Sequence, residues 1–222
     1  MTFFSIIEHS FFLLAFSISI YIAFREGLTK ANGILIFTTF FILGFHTIMY
    51  FPVFQTAWII ENAPQLVKVE MLIEIAFYIV LYITLLRRRS FRLFLAFYFI
   101  LYVIFSFLVL SKIQPIDGLK YPIYSFVFGS FGVLIAVLLF FYEKLKTDDA
   151  ENIFTNFWFW ISAGLFIFLA TEIPVLSITN CLFGKDDAIV SRAQIAIDVK
   201  QIISLFYYFT FLIGALCSRT TT

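Results

Sequence analysis

The sequence predicts an all-α polytopic membrane protein with seven transmembrane helices, its N-terminus outside and its C-terminus inside. Three observations carry that expectation. Of 222 residues, 62% are hydrophobic and only 13% are charged, against about 45–50% and about 25% in soluble domains. The mean hydropathy is +1.01. The apolar residues come in continuous runs, whereas a membrane β-barrel needs short segments that alternate apolar and polar. So little polar surface excludes a soluble enzyme, a disordered tail and a disulfide-built secreted protein. The net charge of +1 offers no basic patch for nucleic acid.

A hydrocarbon core about 30 Å thick takes about 20 apolar residues per helix. Runs of that length predict helices over Phe3–Phe24, Ile34–Phe54, Val67–Leu86, Phe91–Leu110, Pro122–Tyr142, Ile153–Ile178 and Ala193–Cys217. The first run has no Lys or Arg before it and contains Glu8. A cleaved leader wants a positive start, so this run is expected to stay as a helix. REGLTKANG and QTAWIIENAPQLVK form the first two loops. The third, RRRSFR, is short enough to make its flanking helices antiparallel neighbours. The fourth carries the turn residues Pro115, Asp117 and Gly118. In the fifth, Lys144 and Lys146 close one helix and Asp148, Asp149 and Glu151 open the next, the signs that the helix dipole favours. The sixth, NCLFGKDDAIVSR, is polar. One transmembrane domain over 1–222 with no soluble domain is expected. Cys181 and Cys217 fall on opposite sides of such a bundle and would not pair.

Orientation follows Lys and Arg in short loops. With the N-terminus outside, nine of the 15 basic residues lie inside: Arg25, Lys30, Arg87, Arg88, Arg89, Arg92, Lys144, Lys146 and Arg219. The other six, including Lys68, Lys112 and Lys200, lie outside.

Ionisable groups inside hydrocarbon cost about 2.5–3.5 kcal/mol or more at the centre and mark function by default. In this topology Glu8, His9, His46, Glu70, Glu74, Glu172, Asp198 and Lys200 all fall in the outer third of their helices. Glu70 and Glu74 are four residues apart and share a face. Two carboxylates so placed need a cation beside them, and Lys200 is the expected partner. The pattern predicts an outward-facing polar pocket of Glu74, Glu172, His46, Lys200, His9 and Glu70 for a small or lipidic ligand, an ion or protons. Two alternatives stand beside it: interhelical Glu–Lys and Glu–His pairs that hold the bundle together, and Glu8 and Glu70 lying in the headgroup layer with no role. Pro174, beside Glu172, removes a backbone donor and can kink its helix. Trp158 and Trp160 suit the inner aromatic belt, and Ser162 and Gly164 suit close helix contact.

No catalytic residue, metal site or cofactor is assigned. His9 and His46 with Glu74 or Glu172 would suffice in number for zinc, but no HExxH or other fixed spacing is present. No serine lies in GxSxG. Asp198 and Lys200 are two residues apart, on different faces, which argues against a retinal site.

The phrases LIEIAFYIVLY, FWFWISAGLFIF and VKQIISLFYYFTFLIG resemble an uncharacterised family of small bacterial seven-helix integral membrane proteins, similar to the membrane sensor modules of histidine kinases. Glu74 matches the family's helix-three acid. Trp160, Ile161, Ser162 and Gly164 match its helix-six phrase, with Ala163 displaced into the small-residue slot. The segment ATEIP departs from the family pattern, so Glu172 is particular to this chain. The resemblance implies location in the bacterial cytoplasmic membrane and a sensory or accessory role. It also implies a cytoplasmic signalling partner such as a histidine kinase, since the tail SRTTT is too short to signal alone. Two other readings stand beside it. One is a proton- or cation-coupled transporter, and the other an intramembrane lipid-modifying enzyme. The lipid bilayer is the other expected partner, and nucleic acid is not expected.

Overall fold

The structure, a computed structural model, describes residues 3–50, 57–112, 123–146, 153–182 and 187–218; within the helices a further set of side chains, those of Glu8, Lys68, Cys181, Asp198 and Lys200 among them, lies outside that description. The described residues form seven α-helices: α1 Phe3–Glu26, α2 Lys30–Tyr50, α3 Ala57–Leu85, α4 Arg89–Lys112, α5 Ile123–Leu145, α6 Phe157–Leu182 and α7 Asp187–Cys217. Among the described residues, four segments are long and apolar enough to cross a membrane: Lys30–Met49, Arg89–Leu108, Tyr124–Leu145 and Phe157–Ser177.

The helices start and stop where backbone groups find partners. Gly27 ends α1 in the left-handed region at φ 87°, a conformation that glycine adopts without steric cost. Thr29 then caps α2 by accepting the Asn32 amide at 3.2 Å. The Asn32 side chain donates back to the Gly27 carbonyl at 2.8 Å. Several boundaries depart from the apolar runs: α2 and α7 begin earlier, at Lys30 and Asp187 rather than Ile34 and Ala193, and α6 ends later, at Leu182 rather than Ile178. α3 begins at Ala57, well before Val67: the lead-in AWIIENAPQL is helical although Glu61, Asn62, Pro64 and Gln65 interrupt its apolar run. α6 begins at Phe157 rather than Ile153, because the Asn156 side chain accepts the Trp158 amide at 2.9 Å and caps the helix there; residues 153–155 form a 3₁₀ turn.

Six helices close a ring in the order α1, α2, α3, α5, α6, α7 and back to α1, while α4 packs outside against α3 and α5. Small residues set the close approaches. A Cβ on Gly164 would overlap the Thr210 side chain of α7. On α5, Gly129 and Gly132 receive the rings of Tyr102 and Tyr98 from α4. The Tyr98 hydroxyl donates to the Phe128 carbonyl, and the Tyr102 hydroxyl to the Leu72 carbonyl of α3 at 3.1 Å. Two tyrosines one turn apart thus fasten α4 to the ring. The opposite side of α4 exposes Phe97, Ile100, Ile104 and Phe107, an apolar surface suited to lipid.

One end of the bundle gathers basic residues. Arg25, at the end of α1, donates to the Ser218 carbonyl at 3.2 Å and to the Ala215 carbonyl at 3.4 Å, so a cation meets the open carbonyls of α7. At the same end, the buried carboxylate of Glu143 on α5 accepts the amides of Arg87 at 2.7 Å and Arg88 at 2.8 Å. These amides lead into α4, so a carboxylate sits at the positive end of that helix. The arginine-rich turn is therefore held by its backbone.

Candidate functional site

Away from the basic end, the ring encloses a cavity of about 190 Å³. All six ring helices contribute to its wall: Phe12 from α1, His46 from α2, Glu70 and Glu74 from α3, Phe126 from α5, Glu172 from α6, and Ser204 and Tyr208 from α7. None of the described side chains of α4 lines it. At a rise of about 1.5 Å per residue, Glu74 lies about 20 Å along α3 from the Arg87 turn, and Glu172 lies at a comparable distance from the start of α6. The acids therefore share one depth because the helices alternate in direction.

Four of the six sequence-selected residues meet here: Glu70, Glu74, Glu172 and His46. Glu70 and Glu172 are only 7% and 4% exposed, so both are enclosed. Glu70 is the more buried of the α3 pair, which places it in the cavity wall. His9 is half-buried in α1 and does not line the cavity. The side chain of Lys200 lies outside the described residues. No group of three His, Cys, Asp or Glu side chains among the described residues is placed to hold a metal.

Sequence reasoning centred on charge and passed over the tyrosines beneath the cavity, of which Tyr78 lines it. Tyr207 of α7 donates its hydroxyl to Tyr78 of α3 at 3.2 Å, and Tyr78 donates to Glu74 Oε1 at 2.9 Å. One turn further towards the basic end, Tyr82 donates to Ser162 Oγ of α6 at 2.8 Å. Tyr78, Tyr82 and Tyr207 are all buried, and such hydroxyls need partners. A signal for them was present. Glu70, Glu74, Tyr78 and Tyr82 recur every four residues, so acids and hydroxyls share one face of α3.

The aromatic wall is fixed by its own contacts. Phe12 lies edge-on to Tyr208, centroids 4.7 Å apart, and 4.3 Å from the His46 ring. Phe168 stacks on Tyr207 with centroids 5.5 Å apart and planes 23° from parallel. Such geometries add about 0.5–1.5 kcal/mol per pair beyond area burial. The cavity thus combines three carboxyl groups, an imidazole and locked rings in a space smaller than most drug sites. It can bind and orient a small ligand, and the hydroxyls beneath it couple α3 to α6 and α7. Comparison with protein-family models, with curated proteins and with solved structures finds no match for the chain.

Proposed function

We propose that the chain is a seven-span protein of a bacterial cytoplasmic membrane, N-terminus outside and C-terminus inside, acting as a sensor or accessory subunit. A ligand entering the cavity from the outer side would reset the packing of α3, α6 and α7. The RRRSFR turn and the C-terminal end would present that change to a cytoplasmic signalling protein such as a histidine kinase. The observation that carries this reading is the cavity itself, in which Glu70, Glu74, Glu172 and His46 from three ring helices converge. The basic end supports the orientation. The tyrosines beneath the cavity support the relay, because bound-state changes at Glu74 reach α7 through two hydrogen bonds. The family resemblance points the same way.

The test is capture of the protein from native membranes after mild cross-linking, comparing the unaltered chain with an Arg88→Glu/Arg89→Glu variant and with Met49→Trp, which fills the cavity. A cytoplasmic signalling protein that is lost with the charge reversal and altered by the plug is expected. A chain that purifies alone, and that moves protons or cations across proteoliposomes, would overturn the reading.

That second outcome would establish a proton- or cation-coupled transporter. One observation favours this alternative: the hydroxyls of Tyr78, Tyr207, Tyr82 and Ser162 continue the polar face from the acids towards the basic end.

A further inference from the structure

We propose that the cavity is a site for a small organic ammonium ion, held by carboxylates and an aromatic wall. The inference rests on the pocket reading above and names the ligand class for it.

The wall carries Glu70, Glu74 and Glu172, and its described lining residues include no Lys or Arg. Three carboxyl groups in one wall suit a cation better than an anion. A hard divalent ion is a poor fit for a different reason. Calcium wants six to eight oxygen ligands and magnesium a near-octahedral set, whereas much of this wall is ring carbon. Phe12, Phe168 and Tyr208 line the cavity from α1, α6 and α7. An alkylated ammonium suits both halves of such a wall. Its charge pairs with the carboxylates, and its alkyl groups pack on ring faces, an arrangement worth roughly 2 kcal/mol when desolvated. The rings are held by Tyr207, His46 and one another, so little ordering accompanies binding. The size agrees too. An apolar cavity of about 150 Å³ accepts benzene, so 190 Å³ accommodates an ion of comparable bulk.

The experiment is equilibrium binding to the full chain in detergent at fixed ionic strength. The probes are choline, tetramethylammonium and 3,3-dimethylbutan-1-ol, the neutral isostere of choline. Saturable binding of the ammonium probes is expected, with the isostere about tenfold weaker or worse. Glu172→Gln should weaken choline about tenfold while leaving the isostere unchanged, and Phe168→Leu should weaken both ammonium probes. Thermal unfolding of each variant confirms that it is folded. Equal binding of choline and its isostere, or no saturable binding of either ammonium probe, would overturn the assignment. If only a neutral or anionic lipid saturates the site and Met49→Trp abolishes that binding, the ammonium assignment fails while the pocket reading stands. If choline binds but partner capture ignores Met49→Trp, the ammonium site stands and the relay fails.

Discussion

Tyr207 and Tyr78 meet hydroxyl to hydroxyl at 3.2 Å, joining α7 to α3 beneath the cavity. The donation is directed: Tyr207 gives to Tyr78, and Tyr78 gives to Glu74. Removing either hydroxyl therefore has unequal consequences. Tyr207→Phe deletes one donor and leaves Tyr78 still bonded to Glu74, for a cost of about 1 kcal/mol. Tyr78→Phe strands the buried Tyr207 hydroxyl and takes a donor from Glu74, for about 1–3 kcal/mol. Denaturant unfolding in mixed micelles should rank Tyr78→Phe as the more damaging, and the double variant should be less than additive. The reverse ranking would mean that the hydroxyl chain runs the other way or is not formed.

The Glu143 cap gives a second expectation. Its carboxylate satisfies the amides of Arg87 and Arg88, so Glu143→Ala should cost about 1–2 kcal/mol and speed amide exchange in the first turn of α4. Arg88→Glu alters the side chain and leaves the amide cap in place, so its effect on exchange there should be small. Equal exchange in Glu143→Ala and the unaltered chain would show that the cap carries no stability.

Much of the bundle was legible because its code is coarse. A run of apolar residues as long as a bilayer is thick can hardly be anything else, and α4 and α5 follow their runs to within a few residues. The misses have local causes. α3 extends before Val67 because hydropathy marks membrane depth and not helicity. The start of α6 was set by one side chain, Asn156, whose capping bond outweighed the apolar Ile153 and Phe154. Glu143 carried no sequence signal, because its partners are backbone amides more than fifty residues away in sequence. At the cavity, Glu70, Glu74, Glu172 and His46 were readable as ionisable groups out of place in hydrocarbon. The tyrosines were passed over, because in a chain with 33 Phe and 11 Tyr a buried ring looks like core; the four-residue spacing that runs from Glu70 to Tyr82 was the sequence mark that set Tyr78 and Tyr82 on the face of the acids.

The helix glycines should split into two kinds. Gly44 has nothing within 4 Å of a Cβ built on it, so it brings only the entropic penalty of glycine in a helix, and Gly44→Ala should stabilise by about 0.5–1 kcal/mol. Gly164 faces Thr210, whose hydroxyl already donates to the Tyr207 carbonyl at 2.6 Å. Gly164→Ala must push α6 and α7 apart and should destabilise by about 1–3 kcal/mol. Parallel unfolding curves check both signs, and stabilisation by Gly164→Ala would show that the α6–α7 contact is looser than described.

Orientation is testable through Cys217, which is exposed at the basic end of α7 beside the Arg25–Ser218 contacts. With Cys181 replaced by Ser, Cys217 is the sole thiol. Short-loop Lys and Arg favour the cytoplasmic side, and Arg25, the RRRSFR turn and Cys217 share one end of the bundle. A membrane-impermeant maleimide should therefore leave Cys217 unlabelled in intact cells and label it once the membrane is permeabilised. Labelling in intact cells would invert the topology. The acidic cavity would then face the cytoplasm, and a ligand would have to be sought among intracellular amines.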